Sequence, residues 1–405
     1  MRKKYILLIF FIYMSENNEN KKRKTEKSSQ TNDDVEHIIG FIKINNNLLV
    51  ESNESSDDDE DSFEEIEDPS LWPFKEINKE IKSIDDLIEL GKIYDQEKKV
   101  RYNIDLEKLS NLIIPLEKLK SMIGLDNIKE SIVGHITYFL ANLEDETQDM
   151  MHTVITGPPG VGKTQLGQIL GDIYYNLGIL KGNKNKKRNR NSKIKDNGYT
   201  FKIIKRSDLI GKYLGHTASK TQKVIDSCEG GVLFIDEAYS LGNSDGRDSF
   251  SKECIDTLNQ NLTEKKSNFL CIIAGYKDAL EDCFFSYNEG LSRRFTFRYD
   301  IEKYSPEELK LIFYEMVKKL GWKINENDIK TKFFKDNYSK FKNMAGDMET
   351  LLFNCKISHG KRVFCKPKEK KIITLEDLKN GFKQFINSRK NNDSDRENIW
   401  KNMYI

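Results

Sequence analysis

The sequence predicts an α/β protein in which a parallel sheet with helices on both faces is followed by a small all-helical domain. Between residues 153 and 274, short apolar runs typical of buried strands alternate with helical patterns. This alternation favours a parallel sheet with right-handed crossovers. A glycine-rich phosphate-binding pattern follows the first of these runs. Beyond residue 304, apolar residues recur at helical spacing, which predicts the all-helical domain.

The first 70 residues predict a disordered region. They are polar and low in complexity, and they contain an acidic run at residues 57–68. A short apolar patch at residues 38–42 is typical either of a marginal strand or of a partner-binding peptide. Over the whole chain, 66 basic residues balance 65 acidic ones, which gives a net charge of +1. This balance provides no global attraction to nucleic acid or to a membrane surface.

The apolar run at residues 5–14 leaves two interpretations open. It is too short to span a bilayer as a helix. The basic residues before it resemble the start of a signal peptide, but a polar stretch from Ser15 follows where a cleavage site is needed. A start mis-assigned upstream of Met14, or a non-structural tail, is favoured over a targeting segment. Six cysteines without a CxxC pair are typical of a reduced cytosolic protein, so we expect a cytoplasmic location.

Capping signals predict the helices along the chain. Ser83-Ile-Asp-Asp86 begins a helix that Gly91 can end, within a helical linker region at residues 71–114. Similar signals at residues 305–308 and 374–377 begin two helices of a domain at residues 303–390, and a tail follows at 391–405. Met316 and Leu320 are predicted on the buried face of the first of these. The remaining predicted elements lie within an α/β domain at 115–302. The predicted strands are 153–156, 199–204, 232–235 and 269–274. One predicted helix ends at Leu140, and further helices are predicted at 165–170, at 220–228 and around 254–258.

The strongest motif is the phosphate-binding pattern GxxxxGK[ST] at residues 157–164. Its glycines let successive N–H groups face phosphate oxygens, and the start of the next helix adds its positive dipole end. Lys163 can reach the β- and γ-phosphates, and the Thr164 hydroxyl can bind Mg²⁺. The predicted nucleotide contacts are Gly157, Pro158, Pro159, Gly160, Val161, Gly162, Lys163, Thr164 and Gln165.

A second motif follows at residues 230–237, where an apolar run ends in two carboxylates. The run is typical of a central parallel strand, and ligands bind at the carboxyl ends of such strands. Asp236 is the predicted Mg²⁺ ligand. Glu237 is predicted to polarise the water that attacks the γ-phosphate. The alternative is an acidic strand end that only faces solvent.

Together these motifs define a P-loop NTPase, and a P-loop domain followed by a helical lid resembles the AAA+ ATPases. The chain is most similar to the branch of the CbbX (CfxQ) red-type Rubisco activases and the sporulation protein SpoVK. The similarity covers residues 115–390. The stretches that carry it are Asp208-Leu-Ile-Gly-Lys-Tyr-Leu-Gly-His-Thr-Ala-Ser-Lys-Thr221, Gly230-Gly-Val-Leu-Phe-Ile-Asp-Glu-Ala-Tyr-Ser-Leu241, Ile273-Ala-Gly-Tyr-Lys-Asp278 and Asn288-Glu-Gly-Leu-Ser-Arg-Arg-Phe295.

The resemblance implies ATP hydrolysis with Mg²⁺ by a ring, a hexamer, that remodels a protein partner. Tyr213 corresponds to the aromatic pore-loop residue that grips a client chain, with core packing as the alternative. Arg294 corresponds to the catalytic arginine supplied to a neighbouring subunit, with Arg293 as an adjacent candidate and a surface arginine as the alternative. Ile123 and Gly124 correspond to the segment that packs on adenine.

The chain also departs from many AAA+ proteins in the two sensor segments. The strand that carries sensor 1 ends at Gly275-Tyr276, so the Tyr276 hydroxyl is a candidate for that role. Residues 345–349, where the branch has its sensor-2 arginine, contain none and resemble the Gly-Ala-Asp signature. The histidines at 152, 216 and 359 lack ligand spacing, which favours core or solvated positions.

Two rival functions remain. A nucleic-acid loader or helicase would use the basic run at residues 184–195, inside an insertion at 181–198, to neutralise phosphates. That run lacks aromatic residues for base stacking, so a solvated loop is favoured and nucleic acid is not an expected partner. A binding module without hydrolysis is the other rival, and both carboxylates of the second motif argue against it.

Overall fold

The computed structural model describes residues 72–95, 100–143, 150–182, 198–213, 215–242, 248–266, 268–324, 329–365 and 370–403. The predicted disordered region, the apolar patches at 5–14 and 38–42, and the basic run of the insertion lie outside these ranges. Within them, no helix combines the length and the apolar composition that a membrane span needs.

The described strands are two- to seven-residue segments. In chain order they are β1 (Phe74–Lys75), β2 (Arg101–Tyr102), β3 (Thr153–Thr156), β4 (Phe201–Ile204), β5 (Gly231–Ile235), β6 (Phe269–Gly275), β7 (Phe297–Asp300), β8 (Lys323–Ile324) and β9 (Ile372–Ile373).

Helices surround these strands and make up most of the C-terminal part. In chain order they are α1 (Ile84–Gly91), α2 (Leu106–Asn111), α3 (Ile113–Ser121), α4 (Asp126–Leu140), α5 (Lys163–Asn176), α6 (Arg206–Leu209), α7 (His216–Asp226), α8 (Ser249–Glu264), α9 (Lys277–Cys283), α10 (Glu289–Arg294), α11 (Pro306–Lys319), α12 (Thr331–Asp336), α13 (Met344–Val363) and α14 (Leu375–Met403). Short 3₁₀ turns cover Ala238–Leu241, Phe285–Tyr287 and Tyr338–Lys340.

The central sheet has the strand order β4-β5-β6-β3-β7, and every pair in it is parallel. Thr156 at the end of β3 pairs with Gly275 of β6 and with Asp300 of β7. Ile235 at the end of β5 pairs with Ile273. The predicted parallel α/β sheet is therefore confirmed. Because parallel strands end at the same edge, the segments that follow β3, β5 and β6 lie side by side.

Side chains alternate between the two faces of the sheet, as strand geometry requires. Along β6, Ile272 and Ala274 belong to one apolar core, whereas Cys271 and Ile273 belong to the other. Helix α5 approaches the first face closely, since a Cβ atom on Gly167 would lie 2.5 Å from the ring of Phe234. The helix that carries the phosphate-binding loop is thus packed tightly on the sheet.

The C-terminal part is helical, apart from the parallel pair of β8 and β9. Ser305 and Glu308 form a capping box at the start of α11, with Pro306 in its first turn, as the sequence predicts. The prediction that Leu320 joins the buried face of α11 is wrong. The helix ends at Lys319, Leu320 is 51% exposed, and Val317 is buried instead.

Other predicted bounds differ from the structure at the ends of the elements. Helix α7 begins at His216, four residues before the predicted start, because Gly215 has a φ of 81° and forms its N-cap. Helix α8 is much longer than its predicted core, since Asp248 caps it by accepting the N–H groups of Phe250 and Ser251. Helix α14 continues to Met403, past residue 390.

The six cysteines are all free, and four of them are buried. Within the described ranges no group of three or more histidine, cysteine or acidic residues could hold a metal ion. His152 and His359 are buried, whereas His216 is exposed. These positions agree with the prediction that the histidines are core or solvated residues.

His152 links three elements at the start of β3. Its Nδ1 accepts the N–H of Cys271 (3.1 Å), and its Nε2 lies 2.8 Å from the Leu262 carbonyl oxygen and donates to it. This arrangement requires the neutral imidazole. Complete burial is the main cause that lowers the pKa of His152 to about 4; the hydrogen bond to the Leu262 carbonyl opposes this shift, and the charge of Arg294 contributes to it.

We predict that His152 makes the fold sensitive to acid. Its folded pKa lies below the unfolded value, so its contribution is fully present above about pH 6.5 and is lost as the pH falls towards about 4. The loss amounts to roughly 3 kcal/mol. Urea unfolding at pH 7.5 and 4.5 should show a smaller pH effect for His152→Gln than for the wild type. An equal pH effect in both proteins would contradict this assignment.

Candidate functional site

The phosphate-binding loop connects β3 to α5 along residues 157–162. Gly157 and Gly160 have φ angles of 147° and 74°, which L side chains rarely adopt. A Cβ atom at Gly157 would lie 2.6 Å from the Ile301 carbonyl oxygen, and one at Gly160 would lie 2.1 Å from the Asn343 carbonyl oxygen. Glycine is therefore required at both positions by backbone conformation and by space.

Lys163 begins α5 and folds back over this loop. Its Nζ donates to the carbonyl oxygens of Gly157 and Pro158, each at 2.8 Å. Burial lowers the pKa of Lys163, while the charges of Asp236 and Glu237 act in the opposite direction. The ammonium group therefore lies inside the concave side of the loop and within the field of both carboxylates.

Two residues follow Lys163 in the first turn of α5. The Thr164 side chain is half-buried, and Gln165 is exposed. The Leu166 N–H donates to the Gly162 carbonyl oxygen at 2.9 Å, so the helix is closed from its first turn. The N–H groups before that turn are the ones that an anion can bind.

The two predicted acidic residues stand at the end of the fully buried strand β5. The Asp236 N–H donates to the Ile204 carbonyl oxygen of β4 (3.0 Å), which holds the strand end in the sheet. Glu237 adopts the left-handed conformation (φ 52°), and its N–H donates to Asp236 Oδ1 at 3.1 Å. Such backbone strain in a non-glycine residue concentrates at functional sites. Glu237 is exposed and Asp236 is half-buried.

A cavity of about 130 Å³ adjoins the other side of the loop. Its lining includes Ile123, Gly162, Gln165, Ile312, Met316 and Ala345. This brings the predicted adenine-packing residue Ile123 next to the phosphate-binding loop. The cavity therefore places apolar side chains beside the loop, together with the polar side chains of Ser121, Tyr304, Glu315 and Lys319.

Gly124 lies beside this cavity without being part of its lining. It has a φ of 68°, and a Cβ atom there would lie 2.1 Å from Glu308 Oε1. Since Glu308 belongs to the capping box of α11, Gly124 lets the segment before α4 approach the start of the helical lid. Sequence reasoning missed Ile312 and Met316 as lining residues, because helical spacing indicates a buried face but not what that face covers.

The lid contacts the loop through its main chain. The Ala345 N–H donates to the Gly160 carbonyl oxygen at 3.1 Å. Buried Asp347 accepts the Asn343 N–H at 2.8 Å and pairs with Arg389 of α14. The segment at residues 345–349, which contains no arginine, thus meets the loop directly, and its Asp347 is bound by Arg389.

Arg293 and Arg294 lie at the end of α10. Arg294 donates to Thr263 Oγ1 (2.8 Å) and to the Gly290 carbonyl oxygen (2.7 Å), whereas Arg293 is exposed. The charge of Arg294 also lowers the pKa of His152, the residue before β3. Arg294 therefore lies near the amino-terminal end of β3, while the phosphate-binding loop follows the carboxyl end of that strand.

Tyr213 lies between α6 and α7, and 68% of its surface is exposed. Its ring meets His216 edge-on, with the centroids 5.6 Å apart. The alternative that Tyr213 packs in the core is therefore wrong. The next residue, Leu214, lies outside the described residues.

Comparison with known proteins agrees with these features. The family model for the ATPase family associated with various cellular activities (AAA) matches residues 153–303. The putative cfxQ-like protein R730 of Acanthamoeba polyphaga mimivirus is 45% identical over 319 residues, which cover 77% of this chain and 75% of that protein.

Two further relatives match shorter stretches. Stage V sporulation protein K of Bacillus subtilis is 31% identical over 52% of this chain and 62% of its own length. The chloroplastic ribulose bisphosphate carboxylase/oxygenase activase of Cyanidioschyzon merolae is 38% identical over 40% of this chain and 50% of its own length. The chain belongs to the CbbX/CfxQ–SpoVK-like family of AAA+ ATPases.

Proposed function

We propose that this ATPase hydrolyses ATP with Mg²⁺ at the site formed by the phosphate-binding loop and the end of β5, and that it works as a hexameric ring that remodels a protein client. The observation that carries the proposal is the position of Lys163. Its ammonium group lies within the loop at 2.8 Å from two loop carbonyls, and the charges of Asp236 and Glu237 act on it. Phosphate positioning and charge stabilisation account for most of phosphoryl-transfer catalysis.

The residues present fit Mg²⁺. The Thr164 hydroxyl and the Asp236 carboxylate are hard oxygen donors, which Mg²⁺ prefers, and water and phosphate oxygens normally complete its coordination. When bound, the ion neutralises charge on the phosphate oxygens. Thr164 and Asp236 would hold it, one from α5 and the other from the end of β5.

Groups of the protein itself bind the phosphates, stabilise their charge, orient the water and contact the base. The loop N–H groups and the start of α5 bind the phosphates, and Lys163 stabilises the negative charge on the β- and γ-oxygens. Glu237 orients the attacking water and accepts its proton. Ile123 packs on the base in the cavity beside the loop.

A neighbouring copy of the chain would complete the site. Arg294 lies near the opposite end of β3 from the loop, so it is poorly placed to serve the site of its own subunit. Placed on a subunit boundary, it can reach the γ-phosphate of the next copy. A catalytic arginine supplied in this way is worth about 10³–10⁵ in turnover.

The exposed ring of Tyr213 is the observation that favours a protein client. An aromatic side chain on a surface segment offers a contact that tolerates many client sequences. The relatives' names refer to processes as different as carboxylase activation and sporulation, so the proposal is limited to a protein client. The rival nucleic-acid function depends on the basic run at 184–195, which lies outside the described residues, and no described feature favours it.

Glu237→Gln should bind ATP but turn it over about 10²–10⁴-fold more slowly, because the base is lost while the phosphate cradle remains. Lys163→Ala should lose ATP binding in addition to ATP turnover. Fluorescent-nucleotide titration and steady-state phosphate release measure the two effects separately. Near-wild-type hydrolysis by Glu237→Gln would remove the assignment of the base.

Mixing inactive variants tests the shared site. Arg294→Ala and Lys163→Ala subunits should partly restore each other's ATPase activity, because some boundaries then pair an intact loop with an intact arginine. Lys163→Ala mixed with Glu237→Gln is the matched control. Both lesions there lie in the same half of the site, so no boundary is complete and no activity should return.

A further set of mixtures, with Arg293→Ala subunits, tests which of the two arginines has this role. Labelled subunits show that the subunits exchange. Rescue by Arg293→Ala instead of Arg294→Ala would assign the role to the exposed neighbour. Activities that merely add in every mixture, despite exchange, would contradict a shared site.

Tyr213→Ala should keep basal ATP hydrolysis and thermal stability, because its side chain lies outside the core and surface substitutions usually change stability by less than about 0.5 kcal/mol. It should lose the stimulation of ATPase activity by an unfolded model protein. Tyr213→Phe, the matched control, keeps the ring and should retain the stimulation. Equal stimulation of Tyr213→Ala and the wild type would count against the pore role.

A further inference from the structure

Two tyrosines that no motif assignment connects meet beside the catalytic groups. Tyr239 belongs to the 3₁₀ turn after Glu237, and Tyr276 follows β6. Their ring centroids lie 5.6 Å apart with the planes tilted by 33°. The Lys163 ammonium lies 5.5 Å from the centroid of the Tyr276 ring. The two rings therefore form a continuous connection between the phosphate-binding lysine and the segment that carries the predicted base.

The sheet holds this pair in place. Because β5 and β6 are paired, the segments after them leave the sheet side by side. Gly275 at the end of β6 is in contact with Tyr239, since a Cβ atom there would lie 3.0 Å from Tyr239 Cδ1. The Ser240 N–H donates to the Glu237 carbonyl oxygen at 2.8 Å and closes the turn. The Tyr239 ring thus packs against β6 while its backbone stays tied to Glu237.

The Tyr239 hydroxyl and the Tyr276 ring are each suited to interact with a charged group of the site. Burial raises the pKa of the Tyr239 hydroxyl, and the charge of the Glu237 carboxylate raises it further. The phenol therefore stays neutral and can donate to the carboxylate. The negative face of the Tyr276 ring attracts the Lys163 ammonium.

We propose that Tyr239 is a positioning residue for ATP hydrolysis, which orients the Glu237 carboxylate by donating its hydroxyl while the Tyr276 ring supports it from β6. Glu237 is exposed and has an adjustable side chain, so without this hydrogen bond it would adopt the water-activating orientation less often. The inference rests on the proposed function, because it deepens the role of the same base.

The test removes only the hydroxyl. Tyr239→Phe in the full chain should lower kcat for ATP about tenfold and leave KM unchanged, since the phosphate cradle is intact. Tyr175→Phe is the matched control. Tyr175 forms a comparable ring pair with Tyr199, with centroids 5.3 Å apart, and it should keep the wild-type kcat. Both variants keep their rings, and thermal melts check that both fold.

A double-mutant cycle separates positioning from a structural effect. In the Glu237→Gln background, single-turnover assays over hours should show little further loss from Tyr239→Phe, because the hydroxyl acts through the carboxylate. A further tenfold loss in that background would overturn the proposal. So would a kcat for Tyr239→Phe equal to that of the wild type.

The result also distinguishes this inference from the proposed function. If the wild type hydrolyses ATP, Glu237→Gln does not, and Tyr239→Phe matches the wild type, only the inference fails. If Glu237→Gln hydrolyses ATP at the wild-type rate, the assignment of the base fails and the inference fails with it.

Discussion

The parallel pairing of β3, β5 and β6 is the constraint on which the site depends. Parallel strands end at one edge of a sheet, so the loop after β3 and the acidic residues after β5 lie beside the turn that follows β6. The strands are buried, which fixes their register through packing. The ammonium group of Lys163 can then lie among loop carbonyls while it experiences the charges of Asp236 and Glu237.

The helical lid is coupled to this edge through backbone contacts. The Ala345 N–H donates to the Gly160 carbonyl oxygen. Asp347 holds the turn by accepting the Asn343 N–H and is itself paired with Arg389. The first turn of α13 is thus held against the loop by a main-chain contact.

The sequence predicted the parts of the site that local motifs encode. The loop glycines, Lys163 and the Asp236–Glu237 pair are set by short patterns whose chemistry tolerates few residue types. The meeting of Tyr239 with Tyr276 depends on the pairing of two strands that are distant along the chain, and no spacing rule encodes it. Helix ends were also missed, as at Leu320, because capping and local packing decide where a helical pattern stops.

A structure of the full chain with ATP and Mg²⁺, trapped by Glu237→Gln, would show directly how the loop and the end of β5 bind the nucleotide. We expect phosphates bound to the loop N–H groups, Lys163 turned from the carbonyls of Gly157 and Pro158 to the β- and γ-oxygens, and the base packed against Ile123. An arginine from α10 of a neighbouring copy should approach the γ-phosphate. A nucleotide bound elsewhere, or Lys163 left on the loop carbonyls, would contradict the proposed ATP site.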